Sequence, residues 1–208
     1  MDLKKINAEL KGKSPEAIIL WALLRANKPV LTTNFRPYEV AIIHACTSVK
    51  RDLPIIWCDT GYNTPQTYRH AEKLINDFSL NIHLYAPKET SAHRDVVMGV
   101  PAVDSPMHDI FTEQVKLEPF RRAMQEHQPD VWFTNLRKGQ TAFRDSLDIV
   151  TQGNDGILKV SPFFYWSDAE LDQYLEDFGL ETEFKYYDPT KVLENRECGL
   201  HIATTVKS

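Results

Sequence analysis

Cys198 stands in a polar run whose side chains could make its thiol reactive. The run comprises Arg196, Glu197, Cys198, Gly199, Leu200 and His201. The thiolate is the nucleophilic form of cysteine, so positive charge on Arg196 or His201 would favour it, and negative charge on Glu197 would oppose it. Because the run lacks the apolar periodicity of a core element, we expect a reactive thiol at Cys198. The candidate catalytic residues are Cys198, Arg196, Glu197 and His201.

The other two cysteines lie in apolar surroundings. Cys46 falls on a predicted helix beside Ile42 and Ile43, and Cys58 ends an apolar strand. We expect both to be small core residues. Three cysteines without close spacing indicate neither a disulfide framework nor a Cys-x-x-Cys metal site.

Polar and basic side chains follow three predicted strands. Parallel strands bind ligands beyond their carboxyl ends, so these loops are candidate binding segments. The candidate substrate-binding residues are Thr32, Thr33, Asn34, Phe35 and Arg36 at the end of the first strand and just after it, Asp59, Thr60 and Gly61 after the second, and Arg137, Lys138, Gln140 and Arg144 after a later one.

Two of these loops have both a possible chemical role and a plainer alternative. Arginines such as Arg137 and Arg144 can clamp sulfate or phosphate with two hydrogen bonds, although a solvated charged loop has the same composition. Asp59 could hold a ribose hydroxyl or the adenine amino group, although an Asx turn before the next helix is equally ordinary. The loop at 32–37 precedes a helix, whose first N–H groups attract anions.

Strands alternate with helices along the chain. We predict helices at 14–26, from 37, and at 65–78, 120–127 and 167–178, strands at 29–33, 53–58, 81–85, 130–134 and 158–162, and a surface excursion at 87–105. This order indicates an α/β fold, a Rossmann-like parallel sheet with helices on both faces and a mobile C-terminal tail. Residues 1–208 are expected to form a single domain, with 181–208 as the catalytic tail.

Composition narrows the classes of function. The 208 residues are 42% hydrophobic and 25% charged, with a formal net charge of -5. The chain therefore lacks the excess of basic residues that is typical of a nucleic-acid-binding protein, and no apolar run is long enough to cross a membrane. The first residues do not form a secretory signal pattern, so the expected location is the cytoplasm.

Residues 30–201 resemble the phosphoadenylyl sulfate reductases, thioredoxin-dependent enzymes of assimilatory sulfate reduction in the wider PP-loop ATP-pyrophosphatase-like group. The most specific matches are 196–201 and 58–69, supported by 116–120, 136–144 and 159–166. The resemblance implies reduction of 3'-phosphoadenylyl sulfate to sulfite and adenosine 3',5'-bisphosphate. It also implies a sulfonate intermediate on Cys198, thioredoxin or glutaredoxin as electron donor, and a homodimer.

The sequence departs from the family pattern at two places. Arg36 replaces a glycine in the first loop, and the tail before Cys198 is shortened. Basic candidates for a 3'-phosphate are Arg36, Arg121, Arg122 and Lys138.

A related group of reductases carries a four-iron, four-sulfur cluster, which needs four thiolates. Three cysteines are too few, and Phe111 and Thr112 stand where the paired cysteines would be. We therefore expect no bound cofactor. Two alternatives remain open: a cluster-free reductase of adenylyl sulfate, and a diverged relative that binds a nucleotide as a regulator.

Overall fold

The computed structural model describes residues 1–153 and 155–190. Its strands are β1 (Pro29–Thr33), β2 (Ile55–Cys58), β3 (Ile82–Tyr85), β4 (Val131–Phe133), β5 (Val150–Gln152) and β6 (Leu158–Val160). Its α-helices are α1 (Leu3–Leu10), α2 (Pro15–Leu23), α3 (Glu39–Val49), α4 (Pro65–Phe78), α5 (Ser91–Val97), α6 (Met107–Thr112), α7 (Glu118–His127), α8 (Ala142–Asp145) and α9 (Asp168–Asp177). A π-helical turn, Glu113–Leu117, joins α6 to α7.

The strands form one sheet in the order β3-β2-β1-β4-β6-β5. β1 pairs in parallel with β2 on one side and with β4 on the other, so that Leu31 lies beside both Ile55 and Phe133. β5 alone among these strands runs antiparallel, against β6. The chain adds β2 and β3 on one side of β1 and then β4, β6 and β5 on the other. This reversal of strand order creates a crevice at the carboxyl ends of β1 and β4. The predicted parallel sheet is confirmed, except that β5 is antiparallel.

Both faces of the sheet are covered. Leu31, Ile55 and Phe133 belong to a larger core that includes side chains of α2, α3 and α9, whereas Val30 and Ile56 face Ala123 of α7. This alternation follows from the two-residue period of a strand. Cys46 and Cys58 are both buried, as predicted.

The short elements escaped prediction. The segment at 87–105 was predicted as a surface excursion, but it contains α5, which begins where the Thr90 hydroxyl accepts a hydrogen bond from the His93 N–H. β5 was missed because three residues are too few to display a period. Within the described residues, no helix has both the length and the apolar character that crossing a membrane requires.

Candidate active site

The β1–α3 loop is organised around the carboxylate of Glu39, which is 4% exposed. One oxygen accepts hydrogen bonds from the Thr33 hydroxyl and the Asn34 N–H, each at 2.7 Å. The other accepts from Nε of Arg36 at 2.7 Å. The loop donors that precede α3 thus converge on an anion, as a phosphate-binding loop requires, and a side chain of the protein supplies that anion.

Phe35 anchors the β1–α3 loop to the hydrophobic core. Its backbone is left-handed, with φ of 52°, and its ring is buried edge-on against Trp57 with ring centroids 4.9 Å apart. Phe35 was predicted to bind substrate as part of this loop, and in the structure its ring points into the core.

A cleft opens at the carboxyl ends of β1, β2 and β4, at the switch point of the sheet. The predicted substrate-binding residues on its wall are Thr32, Thr33, Asn34, Arg36 and Arg144. The wall also includes Cys58, Lys116, Trp132, Asn135, Tyr186 and Asp188. The cleft leaves about 70 Å³ of room. Small-molecule pockets begin at roughly 300 Å³, so a nucleotide requires some of these side chains to move.

Asp59 holds together the loop between β2 and α4 through hydrogen bonds. Its Oδ1 accepts hydrogen bonds from the Gly61 N–H at 3.0 Å, from Nδ2 of Asn63 at 2.8 Å and from the Tyr68 hydroxyl at 2.9 Å. Burial and the Asp59 carboxylate together raise the pKa of Tyr68 to about 12. The Asx-turn alternative therefore describes Asp59, while Thr64 caps α4. Asp59, Thr60 and Gly61 do not line the cleft.

The residues of the predicted arginine clamp separate in space. Nη1 of Arg137 donates to Asp168 at 2.6 Å, and its guanidinium lies over the ring of Tyr38. Lys138 is exposed and lies 5.7 Å from the centroid of the Tyr165 ring.

Arg144 is the clamp residue that reaches the cleft. It is 4% exposed, and its Nη1 donates to Oε1 of Gln140. Gln140, which does not line the cleft, thereby orients the Arg144 side chain.

Lys116 is a site residue that sequence reasoning missed. Its side chain is 3% exposed, and it forms an ion pair with Asp188. Its Nζ also donates to the Thr190 hydroxyl at 3.3 Å. Lys116 stood in one of the stretches that carry the family resemblance, but no charge or spacing pattern singled it out.

Residues 182–190, here called the strap, cross the carboxyl edge of the sheet and contribute Tyr186 and Asp188 to the cleft wall. The Thr182 hydroxyl accepts from the Tyr38 N–H at 3.0 Å, and the Lys185 carbonyl accepts from the Thr64 hydroxyl at 2.7 Å. Further along, the Pro189 carbonyl lies 3.2 Å from Nε2 of His108. The strap is the first part of the predicted tail, and Arg196, Glu197, Cys198 and His201 lie outside the described residues.

Within the part of the chain that the structure describes, Cys58 is the cysteine that lies on the cleft wall. Burial, partly offset by the charges of Lys116 and Arg122, raises the pKa of its thiol to about 12. At neutral pH Cys58 is therefore a protonated and weak nucleophile. Among residues 1–153 and 155–190, no group of three or more histidine, cysteine or acidic side chains could hold a metal ion.

The sheet order and the switch-point cleft define the chain as an α/β protein of nucleotide-binding architecture. Residues 28–186 match the family described as "Phosphoadenosine phosphosulfate reductase domain". Since the match spans more than half of the chain, the protein belongs to the phosphoadenosine phosphosulfate reductase family. The resemblance found in the sequence is confirmed.

Relatives and solved structures agree with this family. The phosphoadenosine 5'-phosphosulfate reductase of Xylella fastidiosa (strain 9a5c) is 33% identical over 186 residues, covering 86% of this chain and 76% of the relative. That of Aliivibrio salmonicida (strain LFI1238) is 33% identical over 182 residues, covering 86% of this chain and 71% of the relative. The crystal structure of a phosphoadenylyl-sulfate reductase from Candida auris, a phosphate complex, has a TM-score of 0.75 with 25% identity and covers 86% of each chain.

Proposed function

We propose that the protein reduces 3'-phosphoadenylyl sulfate to sulfite and adenosine 3',5'-bisphosphate, with Cys198 as nucleophile and thioredoxin or glutaredoxin as electron donor. The observation that carries the proposal is the position of Thr190, which is 1% exposed and hydrogen-bonded to Lys116. Cys198 follows Thr190 by eight residues. Eight residues span at most about 29 Å, so the cysteine stays within reach of a cleft lined by cationic side chains.

The chemistry proceeds in three displacements. The Cys198 thiolate attacks the sulfur of the sulfate group, the S–O bond to the phosphate breaks, and its electron pair leaves with the bisphosphate product. Cys198 then carries a sulfonate. A thiolate of the donor attacks the Cys198 sulfur and expels sulfite, and the second donor thiol resolves the mixed disulfide.

Residues of the cleft would serve the anions of substrate and leaving group. Lys116, Arg36 and Arg144 bring positive charge to a poorly solvated wall, where electrostatic stabilisation is stronger than in water. The loop donors that now hold Glu39 form a second anion-binding feature. We assign substrate binding to these groups, and to Gln140 through Arg144.

The proposed enzyme acts without an iron–sulfur cluster, because three cysteines cannot supply four thiolates. By family resemblance it would act as a homodimer, and we propose the cytoplasm as its location. Residues 1–208 would form one catalytic domain, with Cys198 on the part that follows the strap.

Mass spectrometry after incubation with 3'-phosphoadenylyl sulfate, without any thiol donor, tests the proposal. We expect one sulfonate on the peptide containing Cys198, removed as sulfite when reduced thioredoxin is added. Cys198→Ser should lose both the adduct and turnover, whereas Cys58→Ala should retain both. A protein that binds the nucleotide but stays unmodified would refute the mechanism and favour a regulatory role.

A second substrate, adenylyl sulfate, is favoured by one observation. The Arg36 guanidinium already contacts Glu39 and the Asn135 carbonyl, so its capacity to bind a 3'-phosphate is reduced. The ratio of kcat/KM for the two nucleotides decides between them. A ratio above one for adenylyl sulfate would replace the first substrate with the second.

A further inference from the structure

Asn135 lines the cleft and has an unsatisfied polar atom in its side chain. The residue is 7% exposed, and its Oδ1 is buried without a hydrogen-bond partner. Other buried side-chain atoms without a partner, such as Nε1 of Trp57 and Nη1 of Arg94, belong to residues that do not line this cleft. Within the described residues, Asn135 is therefore the cleft residue whose buried side-chain atom lacks a hydrogen bond.

Neighbouring polar groups are paired within the protein. The Thr32 hydroxyl accepts from Nε1 of Trp132 at 2.9 Å, and the Thr134 hydroxyl lies 2.8 Å from that of Ser161. A buried polar atom without a partner destabilises the folded state, so native proteins keep few of them. A ligand that forms a hydrogen bond with Oδ1 of Asn135 would therefore explain why the protein leaves this oxygen unpaired.

The chemistry of an amide oxygen restricts what that ligand group can be. A carbonyl oxygen only accepts hydrogen bonds. Ionised phosphate and sulfate groups also only accept, so the anionic part of a nucleotide cannot pair with Oδ1 of Asn135. The partner must be a donor, and the nucleoside half offers two kinds: ribose hydroxyls and the adenine amino group.

The position of Asn135 distinguishes these two donors. Its main-chain carbonyl accepts from Nη2 of Arg36 at 3.3 Å, so the residue lies beside a guanidinium, the kind of group that binds phosphate. The 2'-hydroxyl of a 3'-phosphorylated ribose is on the carbon adjacent to the phosphate-bearing carbon. The adenine amino group projects from the far edge of the base, away from both phosphates.

We propose that Asn135 accepts a hydrogen bond from the ribose 2'-hydroxyl of the nucleotide and makes the cleft specific for a ribonucleotide. The inference rests on the proposed function, since it assumes an adenosine nucleotide in this cleft. Asn135 is then a specificity-determining residue that contacts the sugar and takes no part in the transfer of the sulfur.

The test is the affinity for adenosine 3',5'-bisphosphate and for its 2'-deoxy analogue, measured by isothermal titration calorimetry on wild type and on Asn135→Ala. A neutral hydrogen bond corresponds to a factor of roughly 3 to 10 in affinity. We expect the wild-type protein to prefer the ribonucleotide by that factor and Asn135→Ala to bind both nucleotides equally. A variant that keeps the wild-type preference overturns the inference.

Asn135→Asp is the matched control. It retains an oxygen acceptor, so it should keep the ribose preference, while its charge near Arg36 weakens binding of both nucleotides. Should Asn135→Ala fail to fold by circular dichroism, loss of the ribose preference in Asn135→Asp would still overturn the inference.

Inosine 3',5'-bisphosphate tests the adenine alternative. If Asn135→Ala abolishes the preference for adenine over hypoxanthine and keeps the ribose preference, the 2'-hydroxyl assignment is wrong. The two proposals fail separately: a folded wild-type protein that binds neither bisphosphate refutes the proposed function, whereas binding with an unchanged preference in the variant refutes only the role of Asn135.

Discussion

Lys116 and Asp188 form an ion pair with side chains only 3% and 6% exposed. The pair joins the π-helical turn before α7 to the strap, and the Asp188 carboxylate occupies a position beside the ammonium where a substrate anion would bind. In the β1–α3 loop, the Glu39 carboxylate likewise accepts hydrogen bonds from groups that could bind a substrate anion. Two carboxylates of the protein therefore satisfy the groups that the proposed function assigns to substrate.

Replacement of Asp188 by asparagine should destabilise the protein. The variant leaves the Lys116 ammonium buried without a counter-ion, and removal of one partner from a buried pair costs about 3–5 kcal/mol. Urea denaturation should show this loss in the free energy of unfolding. The double variant Lys116→Met, Asp188→Leu removes both charges and should recover most of the loss. Equal stability of Asp188→Asn and wild type would contradict a structural role for the pair.

Asp188 should also make stability depend on acid pH. Burial opposes ionisation of its carboxyl group, but Lys116 and the hydrogen bonds from Lys116 and Thr190 outweigh it, so the pKa is lowered from 3.8. In the folded state the group binds fewer protons than in the unfolded state. Its contribution is therefore present above pH 3.8 and lost as the pH falls through the lowered pKa.

Urea midpoints measured from neutral pH down to about pH 3 test this dependence, with Asp188→Asn as the reference that cannot titrate. The free-energy difference between wild type and variant should shrink as the pH falls. A difference that stays constant would show that the charge of Asp188 is not the source of its effect.

Glu39→Gln should loosen the β1–α3 loop. The amide keeps one acceptor but loses the charge that holds the Arg36 side chain, and hydrogen bonds to charged groups are worth roughly 1.5–3 kcal/mol. We expect a loss of that size in the free energy of unfolding and a higher KM for the nucleotide.

Thr33→Val is the matched control for Glu39→Gln, since it removes one hydroxyl donor to Glu39 and leaves the charges unchanged. Its effect on unfolding should be smaller. If both variants unfold like the wild type, Glu39 does not organise the loop.

Local sequence signals predicted the regular elements well. The apolar run before Asp59 forms β2, with every residue buried, and the helix predicted at 65–78 coincides with α4 because Thr64 and Pro65 mark its beginning. The strand-end loops were also placed correctly, since parallel strands bring their carboxyl ends to one edge.

The pairing of side chains within the site was not predictable from local pattern. Lys116 and Asp188 are 72 positions apart, and Asp188 lies on a segment without periodicity. Arg137 was predicted to bind substrate, but Asp168, 31 positions further on, accepts its hydrogen bond. Such partners depend on how α9 and the strap pack, which charge and spacing in the sequence do not encode.

Selective alkylation should separate the three cysteines. Burial raises the pKa of the Cys58 thiol to about 12 and also raises that of Cys46, so at neutral pH neither provides thiolate in the folded protein. If Cys198 is the nucleophile, iodoacetamide should modify it first, at a rate that increases with pH through the pKa of its own thiol. Cys46 and Cys58 should react only in denaturant, and peptide mass spectrometry identifies each site. Modification of Cys58 before Cys198 under native conditions would contradict the assignment of Cys198 as the reactive thiol. In that case, slower modification of Cys58 after adenosine 3',5'-bisphosphate is added would show that Cys58 lies in the nucleotide site.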